Sequence, residues 1–555
     1  MKSLHLLLAA LLFFCFSVKA ENRFFERVYV HTDKDCYIAG ENVLLKFYVI
    51  DNRFQPSGLS KVGYVEICNT ERPLMQHKVA LEKGSGAGAI KIPANLPSGM
   101  YQLSGYTRYM RNEGENAFFG KQIAIVNAGQ QLPDPKRFEL VEKKDTIFAV
   151  KKESGNLSIT TDQNEYHNRQ QVNLSIDHIP ANIASLVISV TGNDSIVFVP
   201  EINNSEWLKQ VTDTFPFSGQ WLPEYEGHII SGRIAPEPQE ELLANIAFVG
   251  NDIRYFNGQA NAPNGTINFY TAGIFGKQQI VTSAASLQNN KVPYRVDLLT
   301  PFCEFLPVDL PVLQIYPREK QVMDRYIGVQ IQEKAGNDFL YDLNQIPDYC
   351  TFQPVLSYDL DEYTRFATIS ETILEFVSKV QIIKVGDKRR ISVLFKESQR
   401  FSPRTLVLLD GIPVYDHEEM IEYNPVHIKK INIYDERYMF GGRDFEGIIS
   451  FLTKESNLPF FQLSNESQLY IYDCPQLPSL IKISDYSTDT AKNSKHPDFR
   501  HTLYWNPFVD FSAGQPVNLS FYTSDLCGEF KIKVEGITTS GKMIRGISYF
   551  QVFDK

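Results

Sequence analysis

The chain has 555 residues and a formal net charge of -10, from 55 Lys and Arg against 65 Asp and Glu. An acidic balance without a basic block argues against nucleic-acid binding. The 28 Tyr, 38 Phe, 29 Pro and 33 Gly favour many short strands joined by turns, and a chain of this length is expected to hold about four or five domains.

Residues 1–20 have the pattern of a secretory signal peptide. Lys2 precedes the apolar run 6–18, and Val18-Lys19-Ala20 provides a small-residue cleavage site. No later stretch approaches the roughly 18 consecutive apolar residues of a membrane-spanning helix. We therefore expect an exported protein without a membrane-spanning segment after cleavage.

Six cysteines remain after cleavage, at spacings that fit neither a zinc site nor a disulfide-dense miniprotein. A disulfide between Cys36 and Cys68 would suit an oxidising compartment. Buried thiols that pack as small hydrophobic side chains fit the sequence equally well. The sequence leaves both alternatives open.

A pattern near the N-terminus returns 129 residues later. In each copy an Asp is followed by Tyr four residues on and by Val ten residues on: Asp33, Tyr37 and Val43, then Asp162, Tyr166 and Val172. Apolar alternation before and after each copy indicates strands. The repeat predicts two homologous β-sandwiches, at residues 21–132 and 145–224.

The residues Thr32-Asp33-Lys34, Tyr37 and Gly40-Glu41, followed by Val43, are the basis of a resemblance. Their spacing is similar to that of the macroglobulin-like MG2 domain of the α2-macroglobulin superfamily, and the resemblance implies a β-sandwich. The second copy departs from this pattern, because Arg169-Gln170 stands in place of the Gly-Glu pair.

A third β-sandwich is predicted at residues 225–318, where Asn264-Gly265 indicates a hairpin turn into a strand. Residues 319–363 are predicted to be a linker with a helical segment. After it, Thr368 and Glu371 form a capping-box pair, and an apolar stripe from Ile369 to Val380 predicts a helix that packs on a sheet.

Residues 404–454 combine strands, a helical turn and tight turns within about fifty residues. The order of these elements resembles the plug domain of TonB-dependent outer-membrane receptors, and the resemblance assigns residues 364–458 to a plug-like α/β domain. The matching positions are Asp410, Gly411, Pro413, Pro425, Gly441, Gly447, Thr453 and Lys454. A receptor barrel needs about 22 strands of about 9 to 11 residues, so this domain is expected to lack a barrel of its own.

Residues 459–555 are predicted to form a C-terminal β-sandwich. The predicted fold class is therefore mainly β: a multidomain string of Ig-like or macroglobulin-like sandwiches with one α/β domain. This combination resembles Bacteroidetes envelope proteins that join macroglobulin-like domains to a plug-like domain.

Two segments come close to known chemical motifs without completing them. Cys527-Gly528-Glu529 is followed by Phe530, which has no carboxamide to form the Cys-Gly-Glu-Gln thioester of some macroglobulins. His417-Glu418 begins a His-Glu-x-x-His zinc helix, but Ile421 stands where the second His is needed. We predict no catalysis, no cofactor and no metal.

The preferred hypothesis is an exported, non-enzymatic binding or scaffold protein in the periplasm or at the outer membrane, with the cell surface as a further location. Its expected partners are outer-membrane or envelope proteins, as an accessory to a transporter or envelope assembly. The alternatives are a thioester-less macroglobulin-type protein that interacts with proteases and an array of glycan-binding modules. The sequence leaves the oligomeric state open.

Overall fold

The computed structural model describes residues 23–129, 138–140, 157–193, 196–197, 199, 211–237, 242–261, 266–286, 294–315, 319–334, 340–342, 353–459, 461–463, 467–481, 484–512 and 514–554. The predicted leader and Cys350 lie outside these residues. The fold is mainly β, as the sequence predicted. The chain divides into two compact units: Met1–Pro223 with Phe305–Asp342 and Pro478–Lys555, and Glu224–Glu304 with Leu343–Leu477.

The first nineteen strands are β1 (Glu26–Thr32), β2 (Cys36–Ile38), β3 (Asn42–Asp51), β4 (Val62–Cys68), β5 (Pro73–Ala80), β6 (Ser85–Lys91), β7 (Gly99–Thr107), β8 (Phe119–Val126), β9 (Phe138–Leu140), β10 (Ser158–Thr161), β11 (Glu165–His167), β12 (Gln171–Asp177), β13 (Ile183–Gly192), β14 (Ile229–Ala235), β15 (Leu242–Phe248), β16 (Tyr255–Asn261), β17 (Thr266–Tyr270), β18 (Lys277–Ser286) and β19 (Arg295–Leu298).

The later strands are β20 (Leu313–Ile315), β21 (Leu340–Asp342), β22 (Leu356–Asp359), β23 (Val380–Val385), β24 (Lys388–Phe395), β25 (Arg400–Phe401), β26 (Leu406–Leu409), β27 (Ile412–Pro413), β28 (Ile428–Phe440), β29 (Arg443–Thr453), β30 (Ser467–Asp473), β31 (Ser479–Ile481), β32 (Thr502–Asn506), β33 (Val517–Tyr522), β34 (Gly528–Thr538) and β35 (Met543–Phe553). The α-helices are α1 (Glu319–Lys334), α2 (Ile369–Phe376), α3 (His417–Ile421) and α4 (Asp489–Lys492).

The first eight strands form the first sandwich, which belongs to the first unit. Its two sheets have the strand orders β1-β3-β6 and β2-β8-β7-β4-β5. Strands β1 and β4 are buried along their whole length, and β3 along all but its first residue. Their Val-, Ile- and Tyr-rich sequences suit a strand that is covered on both faces.

The second sandwich is assembled from two distant segments of the chain. Its sheets have the orders β10-β12-β33 and β11-β35-β34-β13-β32, so residues 157–192 and 502–553 share one core. The predictions of a complete sandwich at 145–224 and another at 459–555 are therefore wrong. Each segment supplies only four strands, and neither can cover its apolar faces without the other.

The two sandwiches have the same topology. Strands β10, β11, β12, β13, β32, β33, β34 and β35 occupy the places of β1 to β8 in the same order. Even the parallel pair at the sheet end recurs, as β2 with β8 and β11 with β35. In the first sandwich a four-residue connection, 69–72, joins the fourth strand to the fifth, whereas in the second the whole of residues 193–501 lies between them.

The sequence repeat has a direct physical counterpart. Tyr37 Oη donates to Asp33 Oδ1 at 2.8 Å, and the backbone N–H of Leu44 donates to the same oxygen at 3.1 Å. In the second copy Tyr166 Oη lies 2.6 Å and the N–H of Asn173 lies 2.9 Å from Asp162 Oδ1. The Asp carboxylate thus closes the same turn in both sandwiches, which confirms the predicted repeat.

The sequence predicted that residues 319–363 form a linker. Helix α1 lies in this range, but it is not part of a linker. Val322 and Tyr326 pack against a cluster of the first sandwich that includes Ile38 and Val126. Arg325 reaches the turn after β2 and binds the Glu41 carboxylate with Nε and Nη2, at 2.7 and 2.6 Å. The helix is therefore an integral part of the first unit.

The second unit contains a seven-stranded sheet with the order β19-β14-β17-β16-β15-β18-β30. The sequence predicted a self-contained sandwich at 225–318. The structure corrects this prediction, because the last strand, β30, comes from residues 467–473, and β20, which lies inside the predicted range, belongs to the first unit. Tyr470 and Cys474 complete a core with Phe248 and Phe269.

The rest of the second unit is an α/β domain. Its five-stranded sheet has the order β22-β28-β29-β26-β27, and a three-stranded sheet β23-β24-β25 lies beside it. The Thr368 side chain accepts the Glu371 N–H and caps α2, as the sequence predicted. The predicted apolar stripe is longer than the helix, because α2 ends at Phe376 and Lys379, at φ 62°, turns the chain into β23.

Among the described residues, no helix combines the length and the apolar character needed to cross a membrane.

Candidate binding surface

The turn Asp410-Gly411 joins β26 to β27 with φ angles of 47° and 79°. Two successive positive φ angles match a two-residue hairpin turn. A Cβ on Gly411 would lie 2.9 Å from the backbone oxygen of Asp252 and 3.0 Å from that of Phe248. Glycine is therefore required here both for its backbone conformation and for the close approach of the turn to the seven-stranded sheet.

The fully buried Asp410 carboxylate links this turn to the end of β29. It accepts the Thr453 N–H at 2.7 Å, the Thr453 hydroxyl at 2.7 Å and the Leu458 N–H at 3.0 Å. Three donors satisfy the charged group, as a buried carboxylate requires. Asp410 and Thr453 therefore hold the β26–β27 turn against the end of β29.

The other residues of the plug-like motif are also structural. Pro413 lies in β27, and Pro425 is the first residue of a 3-10 turn capped by Asn424. A Cβ on Gly441 would meet Tyr255 Oη, and one on Gly447, at φ 97°, would lie 2.9 Å from Val393 Cβ. The Lys454 N–H donates to the His427 oxygen at 3.0 Å.

Cys36 and Cys68 do not form a disulfide. They lie on β2 and β4, and β8 and β7 stand between these strands in the same sheet. Three strand spacings of about 4.8 Å separate the two residues by about 14 Å, beyond the reach of a disulfide. Burial, together with Glu66 and Glu115, raises the pKa of Cys68 to about 12, so the structure favours the buried-thiol alternative for Cys68.

The two incomplete chemical motifs also lie in structural positions. His417 Nδ1 accepts the Ile391 N–H at 3.1 Å, and burial together with neighbouring Arg390 lowers the pKa of His417 to about 4. Phe530, at the place of the thioester glutamine, is buried in β34. Within the described residues, no group of three or more His, Cys, Asp or Glu is arranged to hold a metal ion.

A buried polar cluster joins the two sandwiches of the first unit. His31 of the first sandwich contacts Glu535 of the second and stacks on Trp505 with a ring-centroid distance of 5.6 Å. Lys533 Nζ lies 3.1 Å from the same carboxylate. Burial alone would raise the pKa of Glu535, but Lys533 and His31 hold it well below its ordinary value.

Lys46 crosses the same interface without an acidic partner. Its ammonium donates to Ser185 Oγ at 2.6 Å, to the Leu186 oxygen at 3.5 Å and to the Pro507 oxygen. Among the described residues no carboxylate pairs with it. Burial therefore lowers the pKa of Lys46 to about 7.

The lowered pKa of Lys46 predicts a stability that rises with pH. Between about pH 7 and the ordinary value of 10.5, the unfolded chain carries a proton on Lys46 that the folded chain lacks, and the folded state therefore gains stability as pH rises. We expect Lys46→Met to remove this term. The difference in unfolding free energy between variant and natural protein should change by about 1.4 kcal/mol per pH unit in this window.

Urea titrations followed by Trp fluorescence measure this difference. Trp fluorescence reports the unfolding of the first unit, because Trp221 and Trp505 lie in that unit and the sequence ranges of the second contain no Trp. Lys91→Met is the matched control, since the Lys91 ammonium is half exposed. Parallel pH curves for Lys46→Met and the natural protein would contradict the assignment.

Four aromatic side chains form a patch at the surface of the α/β domain, and we call Tyr358, Tyr363, Phe366 and Phe376 the aromatic patch. The rings of Tyr363 and Phe376 stack at 4.3 Å and 8°, and Tyr358 lies about 6 Å from both. Tyr363 is 39% exposed, and the other three are partly exposed. The Tyr358 hydroxyl accepts the Ser378 N–H at 3.0 Å, which fixes the patch to the chain after α2.

The aromatic patch borders an open sheet edge. Strand β22 carries Tyr358 and pairs with β28 on one side, while on its other side no strand of the described chain pairs with it. The exposed Glu362 directly precedes Tyr363, and the exposed Glu371 and Glu375 lie on α2 with Phe376. An apolar, aromatic centre with a polar rim is the usual composition of a protein-binding surface.

The sequence did not predict the aromatic patch. Tyr358 and Tyr363 fall in the segment assigned to a linker, Phe366 falls at the start of the segment assigned to the plug-like domain, and Phe376 falls in a stripe assigned to the core. The available signal was three aromatic residues within nine positions, but only the folded chain brings Phe376 against them.

No protein-family model matches the sequence, and the search of curated proteins found no match. Among solved structures, the chain is similar to Salmonella α2-macroglobulin reacted with methylamine, at 9% identity and a TM-score of 0.24, over 95% of this chain and 39% of that one. It is similar to trypsin-activated α2-macroglobulin of Escherichia coli at 10% identity and a TM-score of 0.24, over 95% and 41%.

The elastase-activated Escherichia coli protein gives 9% identity and a TM-score of 0.25, over 96% of this chain and 44% of that one. The chain spans about two fifths of the length of these macroglobulins. The resemblance of residues 404–454 to a receptor plug stays a prediction.

Proposed function

We propose that this protein is an exported, non-enzymatic scaffold that binds another envelope protein through the aromatic patch. The observation that carries the proposal is the stacked, partly exposed pair Tyr363 and Phe376 beside the open edge of β22. Stacked rings held by the sheet and by α2 lose little conformational freedom on binding, so such a surface favours affinity.

The scaffold role also accounts for the arrangement of the chain. The α/β domain is held to the seven-stranded sheet by the Asp410-Gly411 turn and by the apolar contacts of Ala247, Val249 and Val281 with its core. A binding surface on such a framework is preorganised. The eight residues of the plug-like motif serve that framework and leave the surface free for a partner.

The location of the scaffold is part of the same proposal. The leader predicted at 1–20 supports export, and the plug resemblance supports a location in the periplasm or at the outer membrane, as an accessory to a transporter or envelope assembly. The proposal includes no enzymatic activity.

Site-specific photo-crosslinking in cells tests the proposal. A photoreactive residue at Tyr363 should give a discrete adduct with an envelope protein. The same residue at Met439, which is 73% exposed in the same domain, should not give that adduct. The substitution Phe376→Ser, which removes the ring stacked on Tyr363, should reduce the Tyr363 adduct at least several-fold.

Fractionation supplies the second readout. The natural protein should sediment with the outer-membrane fraction or its partner, and a charge-bearing variant, Tyr363→Glu, should shift toward the free periplasmic pool. Recovery of the natural protein free in the periplasm, with no Tyr363-dependent adduct at native abundance, would overturn the proposal.

The protease-interaction role is the alternative function. It requires an exposed segment that several unrelated proteases cut, followed by a change in the shape of the chain. Limited proteolysis with three proteases of different specificity, followed by sedimentation of the cut protein, discriminates the two roles. A common cleavage segment with a faster or slower sedimenting product would favour the alternative.

A further inference from the structure

Strand β30 is the last strand of the seven-stranded sheet. It pairs with β18 along its whole length, from Ser467 opposite Ser283 to Asp473 opposite Lys277. On its other side, no strand in the described part of the chain pairs with it. An edge strand of seven residues presents a row of backbone donors and acceptors to which another strand can bond.

The centre of the outer face of β30 is apolar. Leu469 is 49% exposed and Ile471 is 68% exposed, and both side chains project from the same face because side chains alternate along a strand. Charged side chains, prolines or bulges usually protect such edges. In β30 the only charged residue is Asp473, at the end of the strand.

The inner face of β30 holds the strand in place. Tyr470 Oη donates to the Val296 oxygen at 2.9 Å, and Tyr472 Oη lies 2.7 Å from His228 Nε2. These bonds fix alternate residues of the strand to the core. The open edge is therefore rigid, and pairing would cost little additional ordering.

The sequence of β30 is complementary to itself in one register. If two copies of the strand run antiparallel and cross at Tyr470, all seven residues pair and Leu469 stands opposite Ile471 of the second copy. Each Asp473 then stands opposite Ser467, so no like charges face each other. Four aliphatic side chains become neighbours on the outer face.

We propose that the protein forms a two-fold symmetric dimer through antiparallel pairing of β30 with β30 of a second copy. The pairing is closed, because each copy uses its one open β30 edge and leaves none for a third. Stable complexes bury a total accessible surface of about 1,200 Å² or more. A single strand pair buries less than this, so the dimer is weak. This inference does not depend on the proposed scaffold role of the aromatic patch.

Sedimentation velocity of the full mature chain tests the dimer. The natural protein should show a reversible, concentration-dependent rise in weight-average mass toward twice that of the monomer. Ile471→Lys places an ammonium opposite the apolar Leu469 of the other copy and sets two positive charges diagonally across the paired strands, and it should weaken association at least tenfold. Met439→Lys, at an equally exposed position of the same unit, should leave association unchanged.

Cysteine pairing tests the register. In a background with the exposed Cys527 replaced by serine, a mixture of Leu469→Cys chains and Ile471→Cys chains should form a disulfide-linked dimer on mild oxidation. Each variant alone should form several-fold less, because position 469 faces position 471 of the other copy and not itself.

Three results would overturn the proposal. They are a monomer at all concentrations, an association that Ile471→Lys leaves intact, and equal cross-linking of the mixture and the separate variants. Far-UV circular dichroism of Ile471→Lys checks that the fold is retained, and Leu469→Thr, which keeps the strand uncharged, should weaken the dimer less than Ile471→Lys. A monomeric natural protein that binds extended peptides at β30 would count against the dimer.

Discussion

Glu41→Ala is expected to lower the free energy of unfolding of the first unit by about 3–5 kcal/mol, because it leaves a buried charge without its partner. The Arg325 guanidinium loses two bonds of 2.7 and 2.6 Å to Glu41, while its 3.0 Å bond to the Cys36 oxygen remains. The Ile38 N–H, which donates to the same carboxylate at 3.1 Å, also loses its acceptor. Urea unfolding followed by Trp fluorescence measures this loss in the first unit.

The double variant Glu41→Leu with Arg325→Leu is the matched control. It removes the carboxylate and the guanidinium together, and replacing a buried ion pair by apolar side chains is often neutral or stabilising, so it should be clearly more stable than Glu41→Ala. A single variant as stable as the natural protein would show that α1 is not held by this pair.

The same pair makes the first unit sensitive to acid. Burial by itself raises the pKa of Glu41, but Arg325 and Lys34 hold it well below its ordinary value of 4.5. Since the folded pKa is lower than the unfolded one, the stabilisation is present above pH 4.5 and is lost as pH falls below it. The double variant should lose less stability over this range.

Asp410→Ala is expected to destabilise the second unit by about 3–5 kcal/mol, since three buried donors lose their acceptor and each unsatisfied group costs about 1–3 kcal/mol. These donors are the Thr453 N–H, the Thr453 hydroxyl and the Leu458 N–H. Alanine is also disfavoured at φ 47°. Circular dichroism should show an earlier unfolding transition, while Trp fluorescence, which reports the first unit, should change little.

Asp410→Asn separates the two causes of this loss. Asparagine tolerates a positive φ angle and retains one oxygen acceptor, so it should cost less than half as much as alanine. An equal loss of stability in the two variants would contradict a role for the hydrogen bonds that Asp410 accepts. No loss of stability in either variant would contradict the link between the β26–β27 turn and β29.

Local signals predicted the local structure well. The Asp-to-Tyr spacing repeated at Asp33 and Asp162 depends on hydrogen bonds within a dozen residues, and it found both homologous turns. Thr368 and the Asp410-Gly411 pair also act on neighbours in the chain. Cap and turn geometry follows from residues only a few positions apart, so the sequence contains the information directly.

Domain limits were predicted poorly, because they depend on strands that are distant in the sequence. Strand β13 pairs with β32, more than three hundred residues later, and β18 pairs with β30 across the α/β domain. Alternating apolar residues show that each segment needs a partner strand. They do not show which strand is the partner, since pairing with any complementary strand edge would bury the apolar face of the segment equally well.

The sequence by itself determined that the chain is β-rich, that two of its sandwiches share one turn and where its tight turns fall. Only the tertiary structure decided that the second sandwich is divided by residues 193–501, that Tyr363 stacks on Phe376 and that β30 ends a sheet. The physical reason is range: backbone preferences and hydrogen bonds between neighbours are encoded locally, whereas burial, strand pairing and an exposed edge exist only after distant segments have met.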